Sequence, residues 1–204
     1  MELGTADAKQ LQAAAFACVK RLVPRDGGSR NQVLARLQAL GEWAVPGSRT
    51  SLFGSSACEL HAHGADLDVT LLPDRTTAAP PTHAEQQALV RHLAVAFQPL
   101  LASGEFTQVE AIDRARVPIL KLLHAESGLR CDLSIGNELA MQKTRLLHAY
   151  VLLDPRVRPL CLIIKHCAPP LPTRKSIRAA PTAAMSASPT AAMNAFVCCR
   201  GQQS

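Results

Sequence analysis

The stretch "LFGSSACELHAHGADLDVTLL", residues 52–72, decides how this chain folds. It opens with a Gly-Ser turn at Gly54 and Ser55, and it later places Asp66 and Asp68 one residue apart in an apolar run that predicts a buried strand. In a strand, residues two apart point to the same face and lie roughly 6.5 to 7 Å from each other. The pattern therefore predicts two carboxylates on one face of a sheet and a hydrophobic core against the other.

The spacing of these carboxylates predicts a cation site. Two carboxylates held this close repel, and each raises the pKa of the other. Mg²⁺ between them would remove the repulsion, because it accepts one or two carboxylates together with phosphate oxygens. A third acid, Asp132, stands in "LRCDLSI" (129–135), a second predicted strand that can lie beside the first in a mixed sheet. Three such acids could hold two ions about 3.5 to 4 Å apart, the usual arrangement for in-line displacement at phosphorus.

The Gly-Ser turn fits the same chemistry, because a turn that enters a helix presents backbone N–H groups and a hydroxyl to phosphate. A single D-x-D pair is weak evidence. The alternative is that Asp66 is a turn residue after "HGA" and that Asp68 is exposed at a sheet edge. The turn, the paired acids and the separate third acid together favour the metal site.

The composition limits the class of protein. The chain has 204 residues, of which 48% are apolar, enough for one good-sized domain or for one domain and part of another. Only 3% are aromatic, so binding of nucleic acid mainly by aromatic stacking is not expected. The net charge of +6 fits a phosphate-bearing partner and, equally, an ordinary basic surface.

The cysteines and the chain's apolar runs bear on its location. Seven scattered cysteines include no C-x-x-C pair, so neither a disulfide framework nor a zinc site is predicted, and Cys131 is interpreted as a small core residue. His61 and His63 are interpreted as part of an exposed linker. Reduced thiols indicate a cytoplasmic protein, with the nucleus and the mitochondrion as alternatives. Because no secretory signal and no apolar run of bilayer length is found, a soluble protein without a membrane partner is expected.

Hydrophobic periodicity predicts the surrounding elements. Helices are expected at 9–22, after a cap at Ser29, at 83–103, at 137–151, and from a cap at Asp154 with Pro155 in the first turn. Strands are expected at 48–54, 66–72, 106–112, 117–125 and 129–135, with a hairpin turn at 127–129. The apolar stripes of the first and last helices predict that these two helices pack together.

Residues 169–204 differ in character from the rest of the chain. They are rich in proline, alanine and serine, and "PTAAM" occurs at 181 and again at 189. Such a segment offers little apolar surface to offset the entropy of ordering it, so it is expected to be disordered.

The combination of "GSS…GADLDVTLL" with "VPILKLLHAESGLRCDLSIGNELAMQKTRLLHAYVLLDPRVRPLCLIIKHCA" resembles the non-canonical poly(A) polymerases and terminal uridylyltransferases. These enzymes belong to the DNA-polymerase-β-like nucleotidyltransferase superfamily, and the resemblance covers about residues 30–168. It implies an α+β fold, in which a mixed five-stranded sheet backed by helices forms a palm domain over 29–136. It also implies a partial helical central domain, made of an N-terminal helix in 1–28 and a helical pair over 137–168, before the low-complexity tail at 169–204.

The resemblance implies template-independent addition of UMP or AMP, from UTP or ATP, to an RNA 3′ end with Mg²⁺ or Mn²⁺. By this resemblance Asp66 and Asp68 bind both metal ions, and Asp132 is the third carboxylate, near the attacking 3′-hydroxyl. The residues it implies for nucleotide binding are Gly54 and Ser55 on the triphosphate, Asn137 and Thr144 on the sugar, and Lys165 on the phosphates. Without the resemblance, Lys165 would be interpreted as a surface lysine at the edge of its helix's apolar stripe.

The chain also departs from the family pattern. Lys143 replaces the asparagine that often precedes Thr144, and Pro169 stands where a second phosphate-binding lysine would come. Little of the helical central domain is recognised, and the segment with the base-stacking tyrosine has no counterpart. A truncated chain with an exposed apolar face is therefore expected, together with a protein partner that completes the helical domain.

Two other functions stay open. The first is a catalytically inactive remnant that binds a nucleotide or a partner protein, because the central domain is incomplete. The second is a small-molecule nucleotidyltransferase, which the Gly-Ser and D-x-D signature alone permits. The helices over 137–168 argue against the second, because they resemble those of the RNA-tailing enzymes.

Overall fold

The computed structural model describes residues 5–24, 27–74 and 80–167, with side chains from residue 9 onward. The helices are α1 (Thr5–Leu22), α2 (Gly27–Ala44), α3 (Gly54–Ala57), α4 (His83–Ala96), α5 (Gln98–Ala102), α6 (Glu138–Leu153) and α7 (Val157–Cys167). The strands are β1 (Arg49–Leu52), β2 (Leu67–Leu72), β3 (Phe106–Ile112), β4 (Ile119–His124) and β5 (Arg130–Ile135). The predicted tail at 169–204 lies outside the described residues.

The five strands form one mixed sheet in the order β1-β2-β5-β4-β3. β2 and β5 are parallel, whereas β1–β2, β3–β4 and β4–β5 are antiparallel. The parallel pair is possible because α4, α5, β3 and β4 separate its two strands along the chain. The prediction of an α+β fold with a mixed five-stranded sheet is confirmed.

The hydrophobic core lies on one face of this sheet, under α2 and α4. Alternate residues of β2 (Leu67, Val69 and Leu71) and of β5 (Cys131, Leu133 and Ile135) are buried there against apolar residues of both helices. Cys131 is therefore the small core residue that the sequence predicts. Because side chains alternate along a strand, the intervening positions of β2 and β5 point to the opposite face, where α3 packs against β2.

The predicted helix at 83–103 is wrong in its continuity. α4 begins at a capping box formed by Thr82 and Glu85 and ends at Ala96, and α5 begins at Gln98 with Pro99 in its first turn. A proline inside a helix lacks the N–H needed for the i→i−4 hydrogen bond, so the chain restarts a helix at this point.

The predicted start of the last helix is also wrong. α7 begins at Val157, whereas Asp154 accepts a hydrogen bond from the backbone N–H of Arg156 at 2.8 Å and pairs with its guanidinium. This local interaction makes a turn before the helix. Ser29, predicted as a cap, lies inside the first turn of α2, which begins at Gly27.

α1 and α7 pack against each other, as their apolar stripes predict. Large apolar side chains nevertheless remain exposed along the other faces of α6 and α7, and they are Leu139, Leu146, Leu147, Tyr150, Leu152, Leu153, Leu160 and Ile164. The expectation of an exposed apolar face is thus confirmed. None of the helices in the described residues is both long and apolar enough to cross a membrane.

Leu133→Ala is expected to lower the free energy of unfolding by about 2 to 5 kcal/mol, because the side chain is fully buried in the strand beside β2 and its removal leaves a cavity. Leu146→Ala is the matched control, since Leu146 is exposed on α6, and its change should stay within about 0.5 kcal/mol. Urea denaturation followed by circular dichroism measures both. Equal losses for the two variants would contradict the assignment of the core.

Candidate active site

The site is built around Asp68 and Asp132, which are direct partners in the parallel pairing of β2 with β5. Neighbouring strands lie about 4.8 Å apart, so the two residues stand side by side. Both belong to the face opposite the hydrophobic core, because their neighbours Leu67 and Leu133 are buried in it. The sequence prediction that the strand of Asp132 lies beside that of Asp68 is confirmed.

Burial and like charge act together on Asp68. Burial raises its pKa above 3.8, and the negative charges of Asp132 and Asp66 raise it further, while the charge of Lys165 opposes them. Burial likewise raises the pKa of Asp132, although Lys121, its partner on β4, lowers it. Two half-buried carboxylates in contact with further negative charge form a donor set that suits a divalent cation.

Asp66 stands immediately before β2, which begins one residue after it. Its Oδ1 accepts a hydrogen bond from Arg130 Nε at 2.6 Å, so its carboxylate pairs with a cation of the protein. Within residues 5–24, 27–74 and 80–167, no group of three or more His, Cys, Asp or Glu side chains is arranged to hold a metal ion. The structure thus pairs Asp68 with Asp132 and places Asp66 beside them, near enough to raise the pKa of both.

Gly54 brings the backbone against Asp68. It has a positive φ of 68°, and a Cβ at this position would overlap the carboxylate of Asp68. Its N–H donates to Thr144 Oγ1 at 2.8 Å, which ties the start of α3 to α6. Ser55 follows in α3 and is partly exposed. The Gly-Ser turn predicted from the sequence therefore lies directly against the acidic pair.

Thr144 of α6 adjoins this turn, whereas Asn137, the cap of α6, is tied to β2. Thr144 is buried, and its hydroxyl donates to the carbonyl of Ala140 at 2.8 Å while accepting from Gly54. Asn137 is the N-cap of α6: its Oδ1 accepts from Ala140 N, and its own N–H donates to Thr70 Oγ1 at 3.0 Å. Asn137 and Thr144 are seven residues apart, so they lie about two turns apart on the same side of α6.

Lys165 of α7 is exposed, and its Nζ donates to the carbonyl of Leu60 at 3.0 Å. Its charge lowers the pKa of Asp68, which places the ammonium on the side of the acidic pair. Lys165 is thus a surface lysine whose charge also acts on Asp68, and its role in the site stays a prediction. His61 is partly buried, against the expectation of an exposed linker, whereas the exposed His63 donates its backbone N–H to Leu22 O.

The sequence analysis missed two arginines that hold the loop before β2. Arg30 of α2 is 5% exposed and donates to Ser56 Oγ at 2.9 Å and to the carbonyl of Ala65. Arg130, the first residue of β5, donates to Asp66 and to the carbonyl of Gly64. A signal for Arg30 exists, because it lies on the buried stripe of α2 three residues before Val33.

Comparison with known proteins identifies what this arrangement resembles. Residues 11–152 match the family model described as "Poly(A) RNA polymerase, mitochondrial-like, central palm domain". The chain is 35% identical over 127 residues to the poly(A) RNA polymerase cid13 of Schizosaccharomyces pombe, which covers 62% of this chain and 20% of that protein. It is 33% identical over 157 residues to the human terminal uridylyltransferase 7, which covers 76% of this chain and 10% of that protein.

Solved structures agree with the sequence relatives. A structure of Cid1, described as having RNA terminal uridylyl transferase activity, superposes with a TM-score of 0.63 and 25% identity, covering 78% of this chain and 47% of that one. A structure of mtPAP in complex with ATPγS gives a TM-score of 0.58 and 26% identity, with coverages of 68% and 31%. The chain spans only 10% to 30% of the length of the curated relatives that it matches.

Gly54→Ala is expected to lose more stability than Gly64→Ala. Both glycines have positive φ, 68° and 72°, so both substitutions carry a left-handed strain of about 1 to 2 kcal/mol. A Cβ at Gly54 would also displace Asp68, whereas nothing lies within 4 Å of one at Gly64, so Gly54→Ala should lose about 1 to 3 kcal/mol more. Urea denaturation measures the difference, and equal losses would show that the turn is not pressed against Asp68.

Asp68→Asn is expected to be more stable than the wild type near pH 7 in a buffer that contains no divalent cation. Because folding raises the pKa of Asp68, the folded state holds this proton more tightly than the unfolded state. The contribution of the group is present below the unfolded value near 3.8 and is lost as the pH rises through the folded pKa. The advantage of Asp68→Asn should therefore shrink as the pH falls towards 4, in thermal unfolding followed across the pH range.

The same experiment with Mg²⁺ or Mn²⁺ added provides the control. A cation that binds only the folded protein raises its stability, so the melting temperature of the wild type should rise more than that of Asp68→Asn. An Asp68→Asn variant that is less stable than the wild type at every pH would contradict the repulsion between the carboxylates.

Proposed function

Because the chain belongs to the family of the poly(A) RNA polymerase, mitochondrial-like, central palm domain, we propose that it acts as an RNA 3′-terminal nucleotidyltransferase. It adds UMP or AMP, from UTP or ATP, to the 3′ end of RNA without a template. The single observation that carries this proposal is the in-register pair of Asp68 and Asp132 beside the Gly54 turn.

Asp66, Asp68 and Asp132 are the residues that would hold the divalent cations, Mg²⁺ or Mn²⁺. When bound, two such ions neutralise phosphate charge and stabilise the attacking and leaving oxygens of an in-line displacement. Asp132 faces the RNA 3′-hydroxyl and orients it. As the carboxylate that faces the 3′-hydroxyl, Asp132 also accepts the hydroxyl proton.

The nucleotide lies on the side of Asp68 that is formed by the Gly54 turn, α6 and α7. Gly54 lets the triphosphate approach the backbone closely, Ser55 supplies a hydroxyl, and Lys165 supplies the opposing positive charge. Thr144 adjoins the turn from α6, and Asn137 caps the same helix beside Thr70 of β2; both contact the sugar. Positioning and charge neutralisation supply most of the rate in such a reaction, so rigid placement of these groups is what the fold contributes.

The partners of the site follow from the same proposal. The relatives comprise both poly(A) RNA polymerases and terminal uridylyltransferases, so both ATP and UTP are kept as donors. A helical protein segment is proposed to cover the exposed apolar side chains of α6 and α7, since such a surface is otherwise left to water. A cytoplasmic location is part of the proposal. It rests on the state of the cysteines, because all five cysteines within the described residues are free thiols.

One alternative is supported by a specific observation. α6 and α7 expose a wide apolar surface. Such a surface fits an inactive remnant that binds a nucleotide or a partner protein. Incubation of the 204-residue chain with labelled RNA and each of the four NTPs separates the two functions, because only an enzyme lengthens the RNA.

Asp68→Asn and Asp132→Asn should each lower the rate of nucleotide addition by about 10²- to 10⁴-fold, because each removes a charge that holds the cation and, at Asp132, the proton acceptor. Asp113→Asn is the matched control, since Asp113 lies in the turn between β3 and β4 and pairs with Arg91. Its rate should stay close to that of the wild type. A gel assay of RNA tailing with Mg²⁺ or Mn²⁺ measures the rates.

Tailing at the wild-type rate by either acidic-pair variant would refute the assignment of Asp68 and Asp132. Tailing by none of the proteins, while the wild type still binds an NTP, would favour the inactive remnant.

A further inference from the structure

A small cavity with two arginines in its wall lies beside Asp66. Its volume is about 190 Å³, and its lining includes Arg30, Ser127, Arg130 and the glycines Gly64 and Gly128. No acidic residue is part of the lining. A cavity of this size with two arginines in its lining favours an anion, because arginine presents several N–H donors in a plane that matches phosphate oxygens.

Arg130 connects this cavity to Asp66, which lies beside the acidic pair. One edge of its guanidinium donates from Nε to Asp66 Oδ1 at 2.6 Å and from Nη2 to the carbonyl of Gly64 at 3.1 Å. Within the part of the chain that the structure describes, its Nη1 makes no hydrogen bond, and 62% of the side chain is exposed. The arginine can therefore accept a second anionic partner without leaving Gly64.

Arg30 forms a fixed part of the cavity wall and is not free to move towards a ligand. It is buried under the loop before β2, where it bonds Ser56 and the carbonyl of Ala65. A buried guanidinium keeps its charge at all ordinary pH values, so the cavity carries a fixed positive potential. Because Arg30 comes from α2 and Arg130 from β5, the cavity forms only when the palm is folded.

The cavity and the proposed triphosphate site lie on different sides of the acidic pair, although Arg30 also bonds Ser56 of α3. The sheet order is β1-β2-β5, and Gly54 follows β1, so the proposed triphosphate site lies on the β1 side of Asp68. Arg130 lies on the opposite side, two residues before Asp132 on β5 and on the same face, roughly 6.5 Å along the strand. That distance is comparable to one nucleotide of extended RNA backbone whose 3′-hydroxyl lies at Asp132.

We propose that this cavity binds the last internucleotide phosphate of the RNA strand, with Arg130 as its direct ligand and Arg30 as its fixed charge. The inference rests on the proposed function, because it takes Asp132 as the residue that faces the RNA 3′-hydroxyl. It assigns Arg130 two anionic partners, Asp66 and an RNA phosphate, which are held on different edges of one guanidinium. A cation bound at Asp66 would weaken the first contact and leave Arg130 more fully to the phosphate.

The test is a thermodynamic double-mutant cycle that combines a substitution of Arg130 with removal of the charge from one RNA phosphate. RNA affinity is measured in buffer that contains EDTA and no NTP. A fluorescent single-stranded oligonucleotide is compared with the same strand carrying one uncharged methylphosphonate at its last linkage. Arg130→Gln should weaken binding of the normal strand about 3- to 10-fold and lower the slope of log affinity against log salt by about 0.7. Arg130→Gln should bind the methylphosphonate strand no more weakly than the normal strand. The wild type should bind the methylphosphonate strand about 3- to 10-fold more weakly than the normal strand.

Two variants control for charge and folding. Arg91→Gln removes one positive charge from a side chain of similar exposure, 56% against 62% for Arg130. Arg91 lies on α4 and pairs with Asp113 in the turn between β3 and β4. The uncharged linkage should weaken RNA binding by Arg91→Gln as much as it weakens binding by the wild type. Arg130→Lys keeps the charge and should restore part of the sensitivity. A methylphosphonate several linkages upstream should affect all four proteins alike.

The proposal is overturned if Arg130→Gln and Arg91→Gln lose affinity equally, if the losses from the arginine and the phosphate simply add, or if the wild type does not bind the strand. RNA tailing by the wild type is measured in parallel. Tailing without coupling between Arg130 and the last phosphate rejects this site and leaves the proposed function standing, whereas absence of tailing despite the coupling rejects the function alone.

Discussion

The parallel pairing of β2 with β5 is the constraint on which the rest of the molecule depends. It sets Asp68 directly beside Asp132, and it can form only because α4, α5, β3 and β4 make the crossover between the two strands. The apolar residues that alternate with the acids are buried beneath α2 and α4, so a slip of one residue would turn the acids into the core. The hydrophobic core thus fixes the register, and the register fixes the site.

The fold holds Asp68 and Asp132 together despite their mutual repulsion, and each acid of the site lies near a different positively charged side chain. Lys121 on β4 acts on Asp132, Lys165 on α7 acts on Asp68, and Arg130 pairs with Asp66. Each cation comes from a different element, so these charges come together only in the complete fold. Burial nevertheless raises the pKa of both central acids, so the nearby cations do not fully compensate their negative charge.

Local patterns predicted most of the sheet and the acidic pair, and they failed where a long-range contact decides. The strand-like run at 106–112 located β3 at its observed bounds, and the Gly-Ser turn marked the approach to Asp68. The helix at 83–103 was overextended because its apolar stripe continues through Pro99. The environment of Asp66 could not be predicted, because its partner Arg130 is 64 residues away in the chain. No local pattern reports such a pair.

The helices that adjoin the Gly54 turn and the loop after α3 are also the ones that expose apolar surface. Thr144 bonds the Gly54 turn from α6, and Lys165 bonds the loop after α3 from α7, while the outer faces of both helices carry exposed leucines. Those two contacts, the packing of α1 on α7 and the packing of α3 on α6 hold the pair to the palm. Any segment that covers the outer faces would therefore bury apolar area and restrict the two helices at once. The stability of the helical pair and the placement of Thr144 and Lys165 beside the acidic pair therefore depend on the same two helices.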